Sequence, residues 1–258
     1  MTNCAVMALS GGMDSTGLLM HLLADGHEVH ALSYDYGQKH SLELDRAKAN
    51  INYLKSKGIT VSHKIVDLRS AMSVFHSALT DDSIDIPEGH YEEEQMKQTV
   101  VPNRNAIFSS VLYGYALSIA LKQDTEVKIA LGVHSGDHTI YPDCRPEFYG
   151  ALENAFQIGN WSSDKVSFYL PYIGGTKETI LKDAEKCLDK LGLDFNTVFA
   201  NTNTSYDPDD MGRSSGKSGA DVERILAFHA VGRVDPVPYV KPWPEVLQDA
   251  INTEAKRK

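Results

Sequence analysis

A turn with two adjacent glycines near the start of the chain constrains the fold more than any other feature. Residues 9–16 read L-S-G-G-M-D-S-T, and they follow an apolar run at 4–9 that predicts a short buried strand. Residues 16–24 place their leucines on one face of a predicted helix that starts near the aspartate of the turn. A strand, a tight turn and a helix in this order leave backbone N–H groups at a helix N-terminus, which favours anion binding.

The side chains of this turn predict that the anion is a phosphate group. Gly11 and Gly12 allow a sharp turn and a close approach of N–H groups to an oxyanion, while Ser10 and Ser15 add hydroxyl donors. Asp14 brings negative charge to the same place, which is expected if it caps the helix or binds Mg²⁺ beside the phosphates. The alternative is an ordinary strand, turn and helix with an aspartate cap.

Strand-like and helix-like segments alternate along most of the chain. After the first strand, alternating or apolar runs predict strands over 28–34, 59–66, 127–133 and 166–172. Helical periodicity predicts further helices over 40–57, 103–123, 146–159 and 176–191. We therefore expect an α/β fold, an open, doubly wound, mostly parallel five-stranded sheet with helices on both faces. Ligands bind such sheets outside the carboxyl ends of the strands, where the strand order reverses.

The alternation predicts two regions of unequal size. Residues 1–200 form the α/β domain, with a polar, acidic insertion at about 67–101 that we interpret as a mobile surface loop or lid. Residues 201–258 form a small C-terminal region of helix and loop, in which Trp243 and Leu247 are expected to pack back onto the chain. We find no internal repeat and no low-complexity segment in either region.

Composition excludes several classes of protein. The formal net charge is −10, which argues against a surface that binds nucleic acid along its phosphates. No run approaches the roughly 18 apolar residues that a membrane span requires, and the N-terminus lacks the pattern of a secretory signal. Cys4, Cys144 and Cys187 are too few and too scattered for a disulfide framework. We therefore expect a cytoplasmic protein without a membrane partner.

Two polar segments follow predicted strands at the carboxyl edge of the sheet. Residues 35–40, D-Y-G-Q-K-H, offer rings and hydrogen-bonding groups to a planar ligand, although a plain turn and helix cap is the alternative. Residues 132–148, G-V-H-S-G-D-H-T-I-Y-P-D-C-R-P-E-F, crowd two histidines, two aspartates, an arginine, a cysteine and a glutamate into one loop. Such a loop is typical of a binding site, and its Cys144 is more simply a buried thiol than a nucleophile.

Two basic residues stand at predicted helix starts, where the helix dipole disfavours a cation. Arg104 follows Asn103, a good N-cap residue, in the segment V-P-N-R-N at 101–105. Lys177 begins the helix after the last strand. An anion bound nearby would offset the unfavourable dipole, so both residues are candidates for phosphate contacts.

Taken in order, S-G-G-M-D-S, D-Y-G-Q-K-H, V-P-N-R-N-A-I-F and Y-P-D-C-R-P-E-F resemble the motifs of one family. The first is similar to the pyrophosphate (PP) loop of the ATP-pyrophosphatase superfamily, with its adenine nucleotide alpha hydrolase-like fold. The full set resembles the 7-cyano-7-deazaguanine synthase (QueC) family over residues 4 to about 239. This resemblance implies an ATP- and Mg²⁺-dependent carbon–nitrogen ligase of queuosine biosynthesis. It would convert 7-carboxy-7-deazaguanine and ammonia to 7-cyano-7-deazaguanine (preQ0) through an adenylated carboxylate and an adenylated amide.

The resemblance also implies roles for individual residues. Its catalytic positions are Asp14, Arg104 and Lys177. Its ATP-binding positions are Leu9, Ser10, Gly11, Gly12, Met13, Asp14, Ser15, Thr16 and Ser33. Its substrate-binding positions are Tyr36, Gln38, His40, Asn103, His134, Asp137, Tyr141, Asp143, Arg145 and Glu147.

The chain departs from the family at its C-terminal zinc knuckle. The family pattern there has four cysteines, and the matching positions hold Ser205, Ser215, Ser218 and Asp221. Three hydroxyls and one carboxylate are poor zinc ligands, so we expect no structural zinc. The C-terminal loop must then be held by other contacts, such as hydrogen bonds among the serines, or else be mobile.

Three interpretations remain at this stage. The first is the family's ligase, or a variant that stops at the amide or uses a related 7-deazapurine. The second is another PP-loop adenylating amidoligase, and the third is a nucleotide-binding module without turnover. In the first, the partners are the base and ammonia, no nucleic acid is bound stably, and a homodimer is possible.

Overall fold

The computed structural model describes residues 3–38, 42–80, 94–134, 136, 141–205, 208–209 and 211–256. Five strands form one sheet with the order β3-β2-β1-β4-β5, and every neighbouring pair is parallel. The strands are β1 Cys4–Ala8, β2 Glu28–Asp35, β3 Ser62–Asp67, β4 Val127–Ala130 and β5 Val166–Tyr169. The chain winds outward from β1 first on one side and then on the other, as predicted for a doubly wound sheet.

Helices cover both faces of this sheet. They are α1 Met13–Ala24, α2 Leu42–Ser56, α3 Arg69–Met72, α4 Arg104–Gln123, α5 Pro146–Gly159, α6 Lys177–Leu191, α7 Phe195–Ala200, α8 Gly219–Ala230 and α9 Trp243–Ala255. Short 3₁₀ turns occupy Glu94–Thr99, Pro142–Cys144 and Ser163–Lys165. None of the helices in the described ranges is long and apolar enough to cross a bilayer.

The central strand explains why two layers of helices form. Successive side chains of a strand point to opposite faces, so a strand buried on both sides is apolar throughout. In β1, Ala5 and Met7 pack with α1, α2, α6 and α7, whereas Cys4 and Val6 pack with α4 and α5. The apolar run at the start of the chain therefore specifies a strand at the centre of an α/β sandwich.

Several element boundaries differ from the sequence predictions. Parallel pairing of the last two strands ends at Ala130 with Tyr169, so β4 and β5 are shorter than predicted. Residues 131–133 and 170–172 leave the sheet as loops, and their apolar side chains still pack into the core, as Leu131 and Leu170 do on one face of the sheet and Tyr172 on the other. Helix α1 begins at Met13, one residue before the predicted start at Asp14–Ser15, and β3 begins at Ser62 rather than at residue 59.

Part of the predicted insertion at 67–101 packs against the α/β domain. Met72, Leu79 and Val101 form a buried cluster, and Tyr36 packs against it. The apolar residues at the two ends of the insertion explain this contact, because burying them against the domain is favourable. The most acidic part, 81–93, lies outside the described residues, so the interpretation as a lid stays a prediction.

The C-terminal region contains helices α8 and α9. Helix α8 packs on α9 through Val222, Ile225 and Val246. Trp243 and Leu247 lie partly buried against this cluster, which confirms that they pack back onto the chain.

Candidate active site

A cavity opens at the carboxyl edge of the sheet, between the loops that follow β1 and β4. These two strands are neighbours, and the strand order reverses between them. The cavity is therefore where the fold class predicts a ligand. The glycine turn, residues 9–16, forms one wall, and the described part of the loop after β4 forms another.

The backbone of the glycine turn depends on Gly11. Its φ is +87°, a left-handed conformation that residues with a side chain rarely adopt. A Cβ atom at Gly11 would lie 2.0 Å from the carbonyl oxygen of Glu43. The close approach of the first turn of α2 is therefore a second reason why position 11 must be a glycine. On the other side, the Asn203 N–H donates to the Gly11 carbonyl over 2.9 Å. The turn is thus held from α2 and from the start of the C-terminal region.

The N-terminus of α1 faces this cavity without a capping side chain from the described residues. Gly12 is its N-cap, and Asp14 stands inside the first turn, so Asp14 does not cap the helix. Ser10 and Ser15 share a hydrogen bond of 2.9 Å, and the Gly12 N–H donates to the Ser10 hydroxyl over 3.2 Å. The arrangement leaves a positive helix end beside hydroxyl groups, as an anion site requires.

Asp14 is paired with a lysine from the opposite side of the site. The Lys177 ammonium donates to Asp14 Oδ2 over 3.2 Å, and Lys177 Nζ lies 2.8 Å from His134 Nε2. Burial opposes ionisation of Asp14, but Lys177 and His134 outweigh burial and hold its pKa well below its usual range. Asp14 therefore stays ionised beside Lys177, which is only 7% exposed.

Aromatic side chains form a further wall of the cavity. The rings of Tyr34 and Phe108 stack with centroids 4.1 Å apart, and Tyr36 packs against Phe108 at 5.5 Å. All three line the cavity. Stacked rings with a few polar neighbours are typical of a pocket for a flat heterocycle.

Two charged residues, Glu43 and Arg104, flank the aromatic wall. Burial raises the pKa of Glu43 to about 7, while the nearby Arg104 acts in the opposite direction. Burial likewise raises the pKa of Tyr36, against the charge of Arg104. A carboxyl group and a guanidinium at the cavity surface offer an acceptor and a set of donors to a polar ligand.

The cavity includes about half of the residues predicted for the site. Those that line it are Leu9, Ser10, Gly12, Met13, Asp14, Ser15, Tyr36, Gln38, Arg104, Tyr141 and Lys177. Those that do not line it are Gly11, Thr16, Ser33, Asn103, His134, Asp143, Arg145 and Glu147. The predictions for His40 and Asp137 lie outside the described residues.

Some residues that do not line the cavity support the residues that do. Ser33 donates to the Leu9 carbonyl over 2.5 Å, which joins β2 to the start of the glycine turn. The Asn105 N–H donates to Asp143 Oδ2 over 3.3 Å, and Asn105 lines the cavity. Among the lining residues, Gln38 is itself bound to backbone, since its Oε1 accepts from the Tyr36 N–H over 3.0 Å. These polar groups hold the backbone of the site.

Other predicted positions stand apart from the cavity. Asn103 occupies the N-cap of α4, as predicted, but its φ is +60° and its side chain makes no capping hydrogen bond. Asparagine tolerates this left-handed conformation better than most residues. Arg145 and Glu147 are exposed at the N-terminus of α5. Thr16 is fully buried within α1.

The structure adds site residues that the sequence did not single out. Glu43, Tyr34, Phe108 and Asn105 line the cavity from α2, β2 and α4, and residues 203–205 line it from the C-terminal region. Asn105 stood in the segment at 101–105, and Tyr34 directly precedes the segment at 35–40. Glu43 had no local signal, because an acidic residue in the first turn of a helix is ordinary.

Three of the knuckle positions, with the neighbouring Ser214, converge on the carboxylate of the fourth, Asp221. Asp221 is 1% exposed and accepts hydrogen bonds from the hydroxyls of Ser205 at 3.1 Å, Ser214 at 2.6 Å and Ser215 at 3.3 Å. The backbone N–H of Ser218 donates to it at 3.3 Å. We call these five residues the serine–aspartate cluster. Burial raises the pKa of Asp221, and the hydrogen bonds from the serines partly offset that effect.

The cluster also begins α8. Ser218 is the N-cap, its hydroxyl accepts from the Asp221 N–H over 3.2 Å, and Asp221 reaches back to the Ser218 N–H in a reciprocal capping box. Among the described residues, the one group of three or more metal-ligating side chains is His21, Asp183 and Cys187, which includes no knuckle position.

Comparison with known proteins gives a consistent set of similarities. The sequence profile of a family described as "Queuosine biosynthesis protein QueC" matches residues 4–232. A 7-cyano-7-deazaguanine synthase of Pseudoalteromonas translucida (strain TAC 125) is 42% identical over 239 residues, which cover 93% of this chain and 100% of that protein. One of Methanoregula boonei (strain DSM 21154 / JCM 14090 / 6A8) is 41% identical over 235 residues, which cover 91% and 98%. Among solved structures, NMN synthetase from Francisella tularensis aligns at 13% identity and a TM-score of 0.39, over 98% of this chain and 86% of that one.

Proposed function

Because this chain belongs to the QueC family, we propose that it converts 7-carboxy-7-deazaguanine and ammonia to 7-cyano-7-deazaguanine at the expense of ATP. One observation carries the proposal for this chain. A single cavity is lined both by a helix N-terminus that no described side chain caps, with Asp14 and Lys177, and by stacked aromatic rings. The helix N-terminus suits phosphates, and the rings suit a flat base.

The proposed reaction needs activation because a carboxylate oxygen is a poor leaving group. In the first half, the carboxylate attacks the α-phosphate of ATP, pyrophosphate leaves, and ammonia displaces AMP to form the amide. In the second half, the amide oxygen attacks another ATP, and loss of AMP and a proton gives the nitrile. Each half therefore releases one pyrophosphate and one AMP.

The cavity supplies groups for the charge changes in both halves. Negative charge builds on the phosphate oxygens as the nucleophile attacks, and fixed positive groups stabilise that charge. We assign this role to Lys177, to Arg104 and to the N–H groups of the glycine turn. Leu9, Ser10, Gly12, Met13 and Ser15 would contact ATP directly. Gly11, Thr16 and Ser33 would act by shaping the turn.

On the base side, we assign direct contacts to Tyr36 and Tyr141 and an indirect role to Gln38. Tyr141 is fixed by a 2.6 Å hydrogen bond between its hydroxyl and that of Thr99. The assignments of His40, Asn103, His134, Asp137, Asp143, Arg145 and Glu147 to the base remain proposals that rest on the family resemblance.

The residues present fit a magnesium ion at the phosphate end. Asp14 Oδ1 is buried and makes no hydrogen bond to any described residue, while Oδ2 is engaged by Lys177. A carboxylate oxygen is a ligand that Mg²⁺ prefers, and Mg²⁺ usually binds through one or two carboxylates together with substrate phosphates. We propose that Asp14 holds the ion through Oδ1, where the ion would neutralise phosphate charge.

The residues at the knuckle positions do not fit zinc. Structural zinc is bound by thiolates and imidazoles, and these positions hold three serines and Asp221. We propose that the serine–aspartate cluster stabilises the C-terminal loop without a metal. Metal analysis of the purified protein should find no tightly bound zinc. The variant with Ser205→Cys, Ser215→Cys, Ser218→Cys and Asp221→Cys is the positive control, and zinc in the unsubstituted protein would refute the proposal.

The remaining parts of the proposal concern the setting of the reaction. We propose a cytoplasmic enzyme that acts on small molecules, binds no nucleic acid stably and has no membrane partner. The net charge of −10 supports the proposal that the enzyme binds no nucleic acid stably. A homodimer is proposed from the family resemblance.

The experiment that tests the function is a product analysis. The purified protein is incubated with Mg-ATP, an ammonium salt and 7-carboxy-7-deazaguanine, and the products are identified by mass spectrometry. We expect the nitrile together with AMP and pyrophosphate. An amide as the sole product would replace this proposal with the variant that stops halfway, and AMP without either product would refute both. Absence of AMP would indicate a binding module without turnover.

A further inference from the structure

Lys177 has a second carboxylate partner that the proposed chemistry does not use. Its ammonium lies 3.2 Å from Asp14 Oδ2 and also 3.2 Å from Glu223 Oε2. Asp14 comes from α1, whereas Glu223 comes from α8 in the C-terminal region. A buried lysine is therefore shared between the α/β domain and the C-terminal region.

The position of Glu223 is fixed from several sides. Two residues earlier, Asp221 closes the capping box that starts α8. The next residue, Arg224, is 1% exposed, and its guanidinium binds both carboxylate oxygens of Asp235 at 2.6 and 2.9 Å. A Cβ atom at Gly136 would lie 2.9 Å from Glu223 Oε1, so the loop after β4 packs closely against the same side chain.

Glu223 supplies a second negative charge that compensates the buried ammonium of Lys177. A buried ammonium needs a compensating charge, because removal of its partner leaves a charge without solvation. Asp14 is the first such partner, but it is also the residue assigned to Mg²⁺. With Asp14 Oδ1 assigned to the ion, Glu223 supplies a second carboxylate that holds Lys177 at the edge of the glycine turn.

We propose that Glu223 is a positioning residue for Lys177, and that the C-terminal region is thereby a working part of the nucleotide site. The substrate named in the test rests on the proposed function, whereas the contact itself does not. Glu223 touches no reacting atom in this proposal. It acts only through the lysine.

The test compares Glu223→Gln and Glu223→Asp with a matched control, Glu178→Gln. Glu178 is exposed on α6 and pairs with Lys182, so its substitution changes the same charge away from the cavity. We expect Glu223→Gln to lower kcat for AMP release about 30-fold while KM for the base changes less than about threefold. Glu223→Asp should recover at least part of kcat, and Glu178→Gln should match the unsubstituted protein. Circular dichroism confirms that each variant is folded.

A second measurement separates positioning from a structural role. Binding of Mg²⁺ with α,β-methylene-ATP is measured by calorimetry, without the base, for Glu223→Gln in the presence and absence of Lys177→Ala. We expect Glu223→Gln to lower the affinity about tenfold when Lys177 is present and to cause no further loss in the Lys177→Ala background. Equal losses in both backgrounds, or a Glu223→Gln variant that behaves like Glu178→Gln, would overturn the proposal. If the unsubstituted protein forms no amide or nitrile but this binding result holds, only the proposed function fails.

Discussion

The N-termini of α1 and α8 contain similar residues, but their aspartates make different contacts. Each is surrounded by serine hydroxyls, and each has an aspartate in its first turn. At α1, Asp14 turns away to Lys177, and no described side chain caps the helix. At α8, Asp221 turns inward and accepts hydrogen bonds from the surrounding serines.

This difference separates a site for a ligand from a self-contained structure. The N-terminus of α1 faces a cavity and no described side chain caps it, so an external anion can bind there. The donors at α8 have already found a buried acceptor in Asp221, so they contribute to stability instead. The direction of one aspartate side chain decides between the two outcomes.

The largest effect is expected at α1. Asp14→Ala should lower the rate of AMP release at least about 1,000-fold, since it removes the proposed magnesium ligand and a partner of Lys177. The rate is measured by chromatography of AMP. Asp45→Ala is the control, because Asp45 is exposed on α2 and pairs with Lys48. Rates within tenfold of each other would show that α1 is not the nucleotide end of the cavity.

The matching change at α8 should affect stability. Asp221→Ala leaves three serine hydroxyls and a backbone N–H without their acceptor, so we expect the free energy of unfolding to fall by about 3 kcal/mol. Asp221→Asn keeps one acceptor oxygen and should cost less. Urea unfolding measures both, with Asp249→Ala on the exposed face of α9 as the control. A loss no greater than that of the control would mean that the cluster does not hold the loop.

A smaller effect on stability, which depends on pH, is expected for substitution of Glu43 beside the glycine turn. Its folded-state pKa of about 7 lies above its ordinary value of 4.5, so the folded protein binds more protons between these values. Stability should therefore fall as pH rises from about 4.5 to about 7, and Glu43→Gln should abolish that part of the fall. At pH 8 we expect Glu43→Gln to be more stable by on the order of 2 kcal/mol. Thermal unfolding at pH 5 and 8 tests this, and an equal shift at both values would contradict it.

The smallest effect concerns a third helix N-terminus, that of α5. Arg145 is its N-cap and is exposed outside the cavity lining. Arg145→Ala should raise KM for the base by about threefold and leave stability unchanged, whereas Arg104→Ala should raise KM about 30-fold. Steady-state kinetics compare the two variants. If Arg145→Ala has the larger effect, the base lies nearer to α5 than the cavity indicates.

The sequence predicted the frame of this site well. The order of strands and helices and the glycine turn all follow from local patterns, because residues that are neighbours in the chain determine them. Several site residues of the glycine turn, with Arg104 and Lys177, were predicted for the same reason, and the structure places the turn residues other than Gly11 and Thr16 in one cavity with Arg104 and Lys177. Of the two interpretations given for Asp14, a helix cap or a magnesium ligand, the cap is wrong, since Gly12 is the N-cap and the helix starts at Met13.

The residues that the sequence missed share one property, which is that their partners are distant in the chain. Lys177 and Asp14 are separated by 163 positions, and each could be noted locally while their contact could not. Glu43 and Glu223 look like ordinary surface acids on amphipathic helices. Only packing shows that one lines the cavity and the other reaches a buried lysine.

The sequence by itself determined a doubly wound α/β fold, a glycine turn that can bind phosphate, and a knuckle without cysteines, since each is written in short stretches of chain. The tertiary structure alone decided that Asp14 faces Lys177, that Asp221 gathers the serines, and that residues 203–205 close one wall of the cavity. These outcomes depend on burial, which removes water and makes each polar group find a partner within the protein. Burial is a property of the folded chain as a whole.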